Sequence, residues 1–201
     1  MKELFVNKSI SLIKKNYSYN DIMYERIRYG LEIIYLSITK IFVILLVSYL
    51  LGMLKETIIL MIFSTPLRNY SYGIHAKKSW HCYVSSIFCF VLLPKLIINY
   101  NLSIILRITI PIYALISMII YAPADTKKRP IINETKRTVY KVLTILITVL
   151  YILYIIFTND VYISNILMIS ILIQTFLVLP ISYKLFGLEY NNYKKYERRT
   201  I

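Results

Sequence analysis

The segment RNYSYGIHAKKSWHCYVSSIFC, residues 68–89, is a polar and basic stretch between two long apolar runs. It contains a histidine and a cysteine seven residues apart, His75 and Cys82. Most of the apolar runs elsewhere in the chain approach or exceed the ~18 to 20 residues that cross a bilayer. The sequence therefore predicts a membrane scaffold that holds this polar segment at one face of the bilayer.

Composition supports an all-α integral membrane protein. The chain has 201 residues, of which 58% are hydrophobic, and these gather in runs instead of spreading as a soluble core would need. A formal charge of +14 would suggest nucleic acid as the partner of a soluble protein. The chain has no recognition module for nucleic acid, and cytoplasmic loops of membrane proteins also collect Lys and Arg. We therefore expect a lipid bilayer as partner and no nucleic acid.

About six transmembrane helices are predicted, over residues 31–54, 57–67, 80–98, 102–121, 139–157 and 161–185. The second run is too short to cross ~30 Å of hydrocarbon as a helix. Either its helix continues through Arg68 toward Tyr72, or the membrane is thinned locally. Pro94 is expected to kink or end the third helix.

The remaining segments are assigned to the membrane surface and the cytoplasm. Residues 1–28 are predicted to form an amphipathic interfacial helix, and residues 187–201 a basic tail. Between them, residues 31–186 form a transmembrane bundle interrupted by a first polar segment, residues 68–81, and a second polar segment, residues 122–138. The whole chain, 1–201, is expected to be one membrane domain.

The distribution of basic residues predicts the orientation. With six crossings and both termini in the cytoplasm, both polar segments and the tail lie on the inner side. Only four of the 24 basic residues then remain for outer loops and spans: Lys40, Lys55, Lys95 and Arg107. This bias matches the rule that orients membrane proteins. Lys40 and Arg107 lie within predicted spans, where a cation is costly unless it snorkels, pairs or faces a polar cavity.

Cys82 is a candidate nucleophile. The cytoplasm keeps thiols reduced, and a thiol near a helix N-terminus beside cations favours the nucleophilic thiolate. Arg68, Lys77 and Lys78 are nearby in sequence, and His75 as a base would complete a pair suited to acyl transfer. The alternative is a small buried hydrophobe, which is the interpretation we adopt for Cys89.

The spacing restricts how His75 and Cys82 can meet. On one continuous helix they would lie ~10 Å apart, beyond hydrogen-bond reach. We therefore expect the chain to turn between them, helped by Gly73 and the polar residues 76–79. His81 would point away from Cys82 on a helix and is the weaker base.

Other cysteine chemistry is not expected. Cys82 and Cys89 would lie ~10 Å apart along one helix, too far for a disulfide. Two cysteines and two histidines without a nearby carboxylate make a poor metal site. We expect no metal and no cofactor.

The polar residues also carry a family resemblance. Arg68, Gly73, His75, Ala76 and Cys82 are followed by Pro123-Ala124-Asp125-Thr126 and Lys127-Lys128-Arg129-Pro130. In this combination the chain resembles the accessory gene regulator B family, membrane cysteine endopeptidases that process quorum-sensing propeptides in Gram-positive bacteria. The resemblance covers the whole chain. In one departure, Tyr72-Gly73 stands where many members have two glycines.

The resemblance implies roles for individual residues. Cys82 would be the nucleophile and His75 the general base. Arg68 matches a position needed for activity, where it would bind a substrate carboxylate or stabilise the oxyanion. Asp125 would either orient His75 as a third catalytic member or act as a turn or capping residue.

The implied reaction defines the expected partners. Cys82 would cleave the C-terminal part of a propeptide through an acyl-thioester, and cyclisation would give a thiolactone or lactone autoinducing peptide. The substrate would have an amphipathic leader and an acidic C-terminal segment. That acidic segment would suit the basic cluster of the second polar segment, which consists of Lys127, Lys128, Arg129, Lys136 and Arg137. The alternative is that this cluster only determines the topology. The resemblance also implies a homodimer in the bacterial cell membrane, with a cytoplasmic active site.

Two other functions are weighed against this one. In a small transporter of peptide or ion, Lys40 and Arg107 would mark a pathway across the membrane. In a non-catalytic scaffold, the polar segments would only dock partners.

Overall fold

The computed structural model describes residues 2–74, 79–127 and 130–194. Within these ranges the chain is built from helices and contains no strand, as expected for an all-α membrane protein. The helices are α1 (Lys2–Asn16), α2 (Asp21–Leu50), α3 (Leu54–Ser71), α4 (Ser79–Ile87), a π-helical segment (Phe88–Leu92), α5 (Leu93–Ile97), α6 (Ile104–Tyr121), α7 (Glu134–Phe157), α8 (Val161–Val178) and α9 (Pro180–Leu185).

Five stretches of helix in the described residues are long and apolar enough to cross a membrane. They are α2, the run from Trp80 to Ile97, α6, α7 and α8. The remaining predicted span, residues 57–67, lies in α3, which carries charges at Lys55, Glu56 and Arg68. α3 continues past Arg68 to Ser71, which is the first of the two arrangements expected for the short second run. The number of crossings stays a prediction.

α8 is the central helix of the bundle. Twelve of its 18 residues are buried, whereas the 30-residue α2 buries only Ile44 and Ser48. α3, α6 and α7 pack around α8. Its buried polar side chains include Gln174, which hydrogen-bonds to neighbouring elements.

The N-terminal segment differs in part from the single interfacial helix expected over residues 1–28. α1 ends at Asn16, and α2 begins at Asp21 because the Asn20 side chain accepts a hydrogen bond from the Met23 N–H and caps it. α1 packs against α2, with an ion pair of 3.2 Å between Lys2 and Glu32.

The helix that contains Cys82 does not end at Pro94. A π-helical segment, Phe88–Leu92, precedes the proline, and Pro94 then occupies the first turn of α5. Proline is tolerated in the first turn of a helix, because the N–H that it lacks would have no carbonyl partner within the helix there. The helix therefore continues to Ile97.

The last predicted span is shorter than expected. α8 ends at Val178, and not at 185, because Leu179 adopts an extended conformation and Pro180 starts the short α9. This break places α9 next to the second polar segment, as described below.

Arg107 has a structural role in the described residues. Its Nη2 atom donates to the carbonyl oxygens of Ile155 and Thr158 at 2.8 and 3.0 Å. These carbonyls lie at the C-terminal end of α7, where the helix leaves acceptors unpaired. Arg107 therefore caps α7 from α6.

Asn165 caps a second helix end. Its Nδ2 atom lies 2.9 Å from the carbonyl oxygens of both Ile98 and Tyr100, which follow α5. The side chain is buried in α8, so these contacts tie the end of the Cys82-containing helix to the centre of the bundle.

Replacing Asn165 with leucine should destabilise the fold. The substitution leaves buried carbonyl groups without donors, at a cost of about 1 to 3 kcal/mol. We expect a lower midpoint of thermal unfolding in detergent. Asn101→Leu, at an exposed position nearby, is the matched control, and equal midpoints for the two variants would contradict the capping role.

Candidate functional site

The first polar segment begins with a sharp change of chain direction. α3 ends at Ser71, and the next two residues have positive φ angles, 59° at Tyr72 and 102° at Gly73. This region of φ suits glycine and is rare for tyrosine. Tyr72 thus adopts a backbone conformation that glycine favours. We call residues 71–74 the turn segment.

Arg68 holds the turn segment from α3. Its Nη1 atom donates to the Tyr72 carbonyl and its Nη2 atom to the Ile74 carbonyl, both at 2.6 Å. Charged donors make strong hydrogen bonds of this kind. Arg68 therefore fixes the backbone that leads into residue 75.

α8 also holds this turn. Gln174 Nε2 donates to Ser71 Oγ at 2.5 Å and to the Tyr72 carbonyl at 2.7 Å. The Ile74 N–H donates to the Leu177 carbonyl at 2.9 Å. The sequence patterns did not single out Gln174, whose signal was an amide side chain within a mainly apolar predicted span.

The second polar segment completes the support of the turn. The Gly73 N–H donates to the Ala124 carbonyl at 2.8 Å, and the Ala124 N–H donates to the Ser71 carbonyl at 3.0 Å. Tyr72 and Ala124 thus form an isolated parallel β-bridge. The structure brings together two segments that are about fifty residues apart in sequence.

Asp125 anchors the C-terminal part of the chain. It is buried, and its two carboxylate oxygens accept the backbone N–H groups of Asn192 and Tyr193 at 2.9 and 2.8 Å. Burial raises the pKa of this carboxyl, and the N–H donors oppose that rise. The Tyr183 hydroxyl lies 3.0 and 2.9 Å from the carbonyls of Ala124 and Asp125. Asp125 therefore joins the tail to the second polar segment.

Cys82 lies in the first turn of α4, which begins at Ser79. Its side chain is half-buried, and its carbonyl accepts a hydrogen bond from Ser85 Oγ at 3.2 Å. The next residue, Tyr83, contacts α2 through a 2.8 Å hydrogen bond between its hydroxyl and Thr39 Oγ1. The described part of this helix thus starts three residues before Cys82, and the role of this thiol stays a prediction.

Several predicted site residues lie outside the described residues. These are His75, Lys128 and Arg129, together with Ala76, Lys77 and Lys78. The pairing of His75 with Cys82 stays a prediction. The His81 ring is tilted by 52° against the Trp80 ring, with 3.8 Å between the ring centroids.

The described basic residues of the second polar segment have different surroundings. Lys127 is exposed. Lys136 lines a cavity of about 390 Å³ together with Tyr72 and residues 130–133, and its ammonium lies over the Tyr140 ring. Arg137 lies over the Tyr193 ring at 3.9 Å. Lys136 thus borders the turn segment, whereas Arg137 helps to hold the tail.

The described residues include both cysteines of the chain. Cys82 and Cys89 are both free thiols, and Cys89 packs against the apolar cluster around Ile44 and Val91. No group of three metal-binding side chains occurs among the described residues.

Comparison with known proteins assigns the family. A model of the accessory gene regulator B family matches residues 6–178, and the chain therefore belongs to this family. Membership associates it with accessory gene regulator quorum sensing and peptide processing.

The chain is similar over most of its length to curated members. An AgrB-like protein of Clostridium acetobutylicum is 32% identical over 178 residues, covering 86% of this chain and 83% of the relative. An AgrB-like protein of Listeria monocytogenes is 30% identical, covering 87% and 85%. The accessory gene regulator protein B of Staphylococcus aureus is 28% identical, covering 88% and 92%. No solved structure matches the chain.

Substitution of Gly73 by alanine should disrupt the turn segment. The added Cβ would lie 2.6 Å from the Leu177 carbonyl oxygen and 2.9 Å from the Arg68 guanidinium, at a φ angle of 102°. Backbone strain of this kind costs about 1 to 3 kcal/mol. We expect faster amide hydrogen exchange at Gly73 and Ile74 and a lower unfolding temperature.

Gly30→Ala is the matched control for this substitution. Gly30 lies within α2 and has open space around its Cα, so alanine there should stabilise the helix by about 0.5 to 1 kcal/mol. Unchanged exchange at residues 73 and 74 in Gly73→Ala would contradict the proposed packing of the turn.

Proposed function

We propose that this protein is a membrane cysteine endopeptidase that cleaves a quorum-sensing propeptide and cyclises the peptide that remains. Family membership supports peptide processing. The observation that carries the finer proposal is the network around the turn segment. Arg68, Gln174, Leu177 and Ala124 all bind a turn that directly precedes His75 and ends eight residues before Cys82.

The first chemical step forms an acyl-enzyme. His75 accepts the proton of the Cys82 thiol, and the thiolate sulfur attacks the scissile carbonyl carbon of the propeptide. As the tetrahedral intermediate collapses, the carbon–nitrogen bond breaks and the imidazolium donates its proton to the leaving amine. The C-terminal fragment departs, and the N-terminal part stays attached to Cys82 as a thioester.

The second step closes the ring and restores the enzyme. A thiol or hydroxyl of the substrate attacks the thioester carbonyl, its proton passes to His75, and Cys82 leaves as a thiolate that is then protonated. Exchange of one thioester for another is nearly isoenergetic, so this step needs no nucleotide. Formation of the thioester from an amide is uphill, and removal of the released fragment draws it forward.

Arg68 acts in this proposal as a positioning residue. The sequence left open whether it binds a substrate carboxylate or stabilises the oxyanion. Two of its donors bind the carbonyls of Tyr72 and Ile74, which favours a role in holding the approach to His75. Asp125 likewise binds backbone N–H groups through both oxygens, which favours an anchoring role over a catalytic one.

The cavity beside the turn segment is proposed to receive the acidic C-terminal segment of the substrate. Lys136 and Tyr72 both line it, so an acidic peptide bound there would lie next to the residues that lead into His75. Opposite charges across such a contact increase specificity and the rate of encounter. Lys127, Lys128, Arg129 and Arg137 add to the positive potential of the same segment.

The proposal places the enzyme in the bacterial cell membrane as a homodimer. Both termini and both polar segments face the cytoplasm, following the bias of basic residues. The amphipathic leader of the substrate would lie on the same membrane face as α1, which restricts the encounter to two dimensions.

The catalytic assignment is tested by co-expression with the propeptide and detection of its cleavage. Cys82→Ser and His75→Ala should lose cleavage, because they remove the nucleophile and the base. Cys89→Ser should retain cleavage, since Cys89 packs in the apolar core. Alkylation of Cys82 should inhibit the wild type and leave no acyl-enzyme detectable by mass spectrometry.

The same experiment separates the competing functions. A transporter would move intact peptide and would be insensitive to alkylation of Cys82, and a scaffold would show neither activity. Cleavage by Cys82→Ser at the wild-type rate would overturn the endopeptidase proposal. The capping contacts of Arg107 already give that residue a structural function that needs no transport pathway.

The substrate contact is tested by charge reversal. Lys136→Glu should raise KM for a propeptide with an acidic C-terminal segment by about fivefold or more, with a smaller effect on kcat, because a favourable contact becomes repulsive. A propeptide with lysines in that segment should recover the lost affinity. Lys141→Glu, on the same helix outside the cavity, is the control. Equal effects of the two variants would contradict a specific contact at Lys136.

A further inference from the structure

A second cavity lies between α2, α3 and the π-helical segment. Its volume is about 280 Å³, near the lower limit of ligand-binding pockets. Its polar lining comes from two cations and four neutral groups: Lys40, Arg68, Ser37, Ser64, Thr65 and Asn69. The cavity therefore places two positive charges within the helical bundle.

Lys40 supplies the charge that is available to a ligand. Among the described residues its ammonium has no hydrogen bond or ion pair, since the ion pairs found there involve Glu32. Side chains on a helix lean toward its N-terminus, and α2 and α3 are consecutive helices joined by a short turn. The Lys40 side chain thus leans toward the end of α3 that carries Arg68. An unpaired cation within a membrane-spanning helix is costly, and a bound anion would offset that cost.

The remaining walls of the cavity are apolar. They are formed by Ile41, Ile44, Met61 and Phe90. Outside the cavity, α2 and α3 expose apolar side chains such as Phe42 and Ile62, which face hydrocarbon in a bilayer. A ligand that enters from this side must carry both an anionic group and an apolar chain.

We propose that this cavity binds an anionic phospholipid. Its phosphate would lie against Lys40 and Arg68, and part of an acyl chain would run along Ile41, Ile44 and Phe90. Basic pockets between transmembrane helices are recognised by anionic lipid headgroups. A phospholipid is also an anion already present in the bilayer around the helices, whereas a peptide would have to insert between them.

Lipid binding in this cavity would affect the candidate site through Arg68. Arg68 lines this cavity and also holds the turn segment. A lipid phosphate beside Arg68 would stabilise the position of the helix that supports the turn. The inference does not depend on the proposed peptidase activity, because its test measures lipid binding.

The test uses the purified full chain in a neutral detergent. Phosphatidylglycerol or phosphatidylcholine with the same acyl chains is added, and the midpoint of thermal unfolding is followed together with retained lipid by native mass spectrometry. A ligand that binds only the folded state raises the midpoint. Phosphatidylglycerol should raise it more than phosphatidylcholine in the wild type and in the control Lys95→Gln.

Variants at Lys40 assign the effect to the cavity. Lys40→Gln should bind phosphatidylglycerol about fivefold more weakly, the loss expected for one cation. Lys40→Arg should retain the preference. Equal shifts with the two lipids in the wild type, or an undiminished preference in Lys40→Gln, would overturn the proposal. So would a Lys40-dependent shift produced by an acidic peptide but not by phosphatidylglycerol.

A fluorescence measurement gives a second readout of lipid binding, in a variant that retains both Lys40 and Arg68. The chain has one tryptophan, Trp80, so Trp80→Phe combined with Phe90→Trp places a single reporter in the cavity wall. Phosphatidylglycerol with brominated acyl chains should quench this tryptophan more strongly than brominated phosphatidylcholine at equal concentration. Equal quenching by both lipids would contradict selective binding at this position.

Discussion

Satisfaction of backbone hydrogen bonds where helices end is the constraint on which this structure depends. A chain that leaves a helix near the membrane exposes N–H and C=O groups that lipid cannot pair. At the end of α3 this need is met by Arg68, Gln174 and the backbone of Ala124. The groups that satisfy the turn also fix its position relative to α8 and the second polar segment. The rigidity of the candidate site is therefore a result of the same hydrogen bonds that make the turn possible.

The constraint recurs at other helix ends, with the same solution. Arg107 caps α7 and Asn165 caps the end of α5, so each of these two side chains serves a neighbouring helix. From sequence alone, charged and amide side chains within apolar spans are candidates for a functional role, because burying them in the membrane is costly. Lys40 differs from them in the described residues, since no backbone acceptor contacts its ammonium. That difference is what distinguishes a residue serving the fold from one available to a ligand.

Local patterns predicted much of the fold but little of the packing around the site. The apolar runs placed the helices, and the polar residues before Cys82 placed it near the start of one. The continuation of α3 to Ser71 was one of two expected arrangements, and the short α8 was missed because Leu179-Pro180 was read as part of a span. Gln174 and Tyr183 act on residues more than fifty positions away. Such contacts cannot be predicted from periodicity or spacing, because they depend on how the helices assemble.

The burial of Asp125 links two parts of the chain that have no obvious relation in sequence. Its carboxylate is surrounded by N–H groups from residues 192 and 193, so the tail is a structural element of the loop between α6 and α7. Loss of the tail would remove two backbone donors from a buried acid, and loss of the acid would release the tail. Substitutions in these two places should therefore be inherited together, and a shortened homologue should carry a neutral residue where this chain has the aspartate.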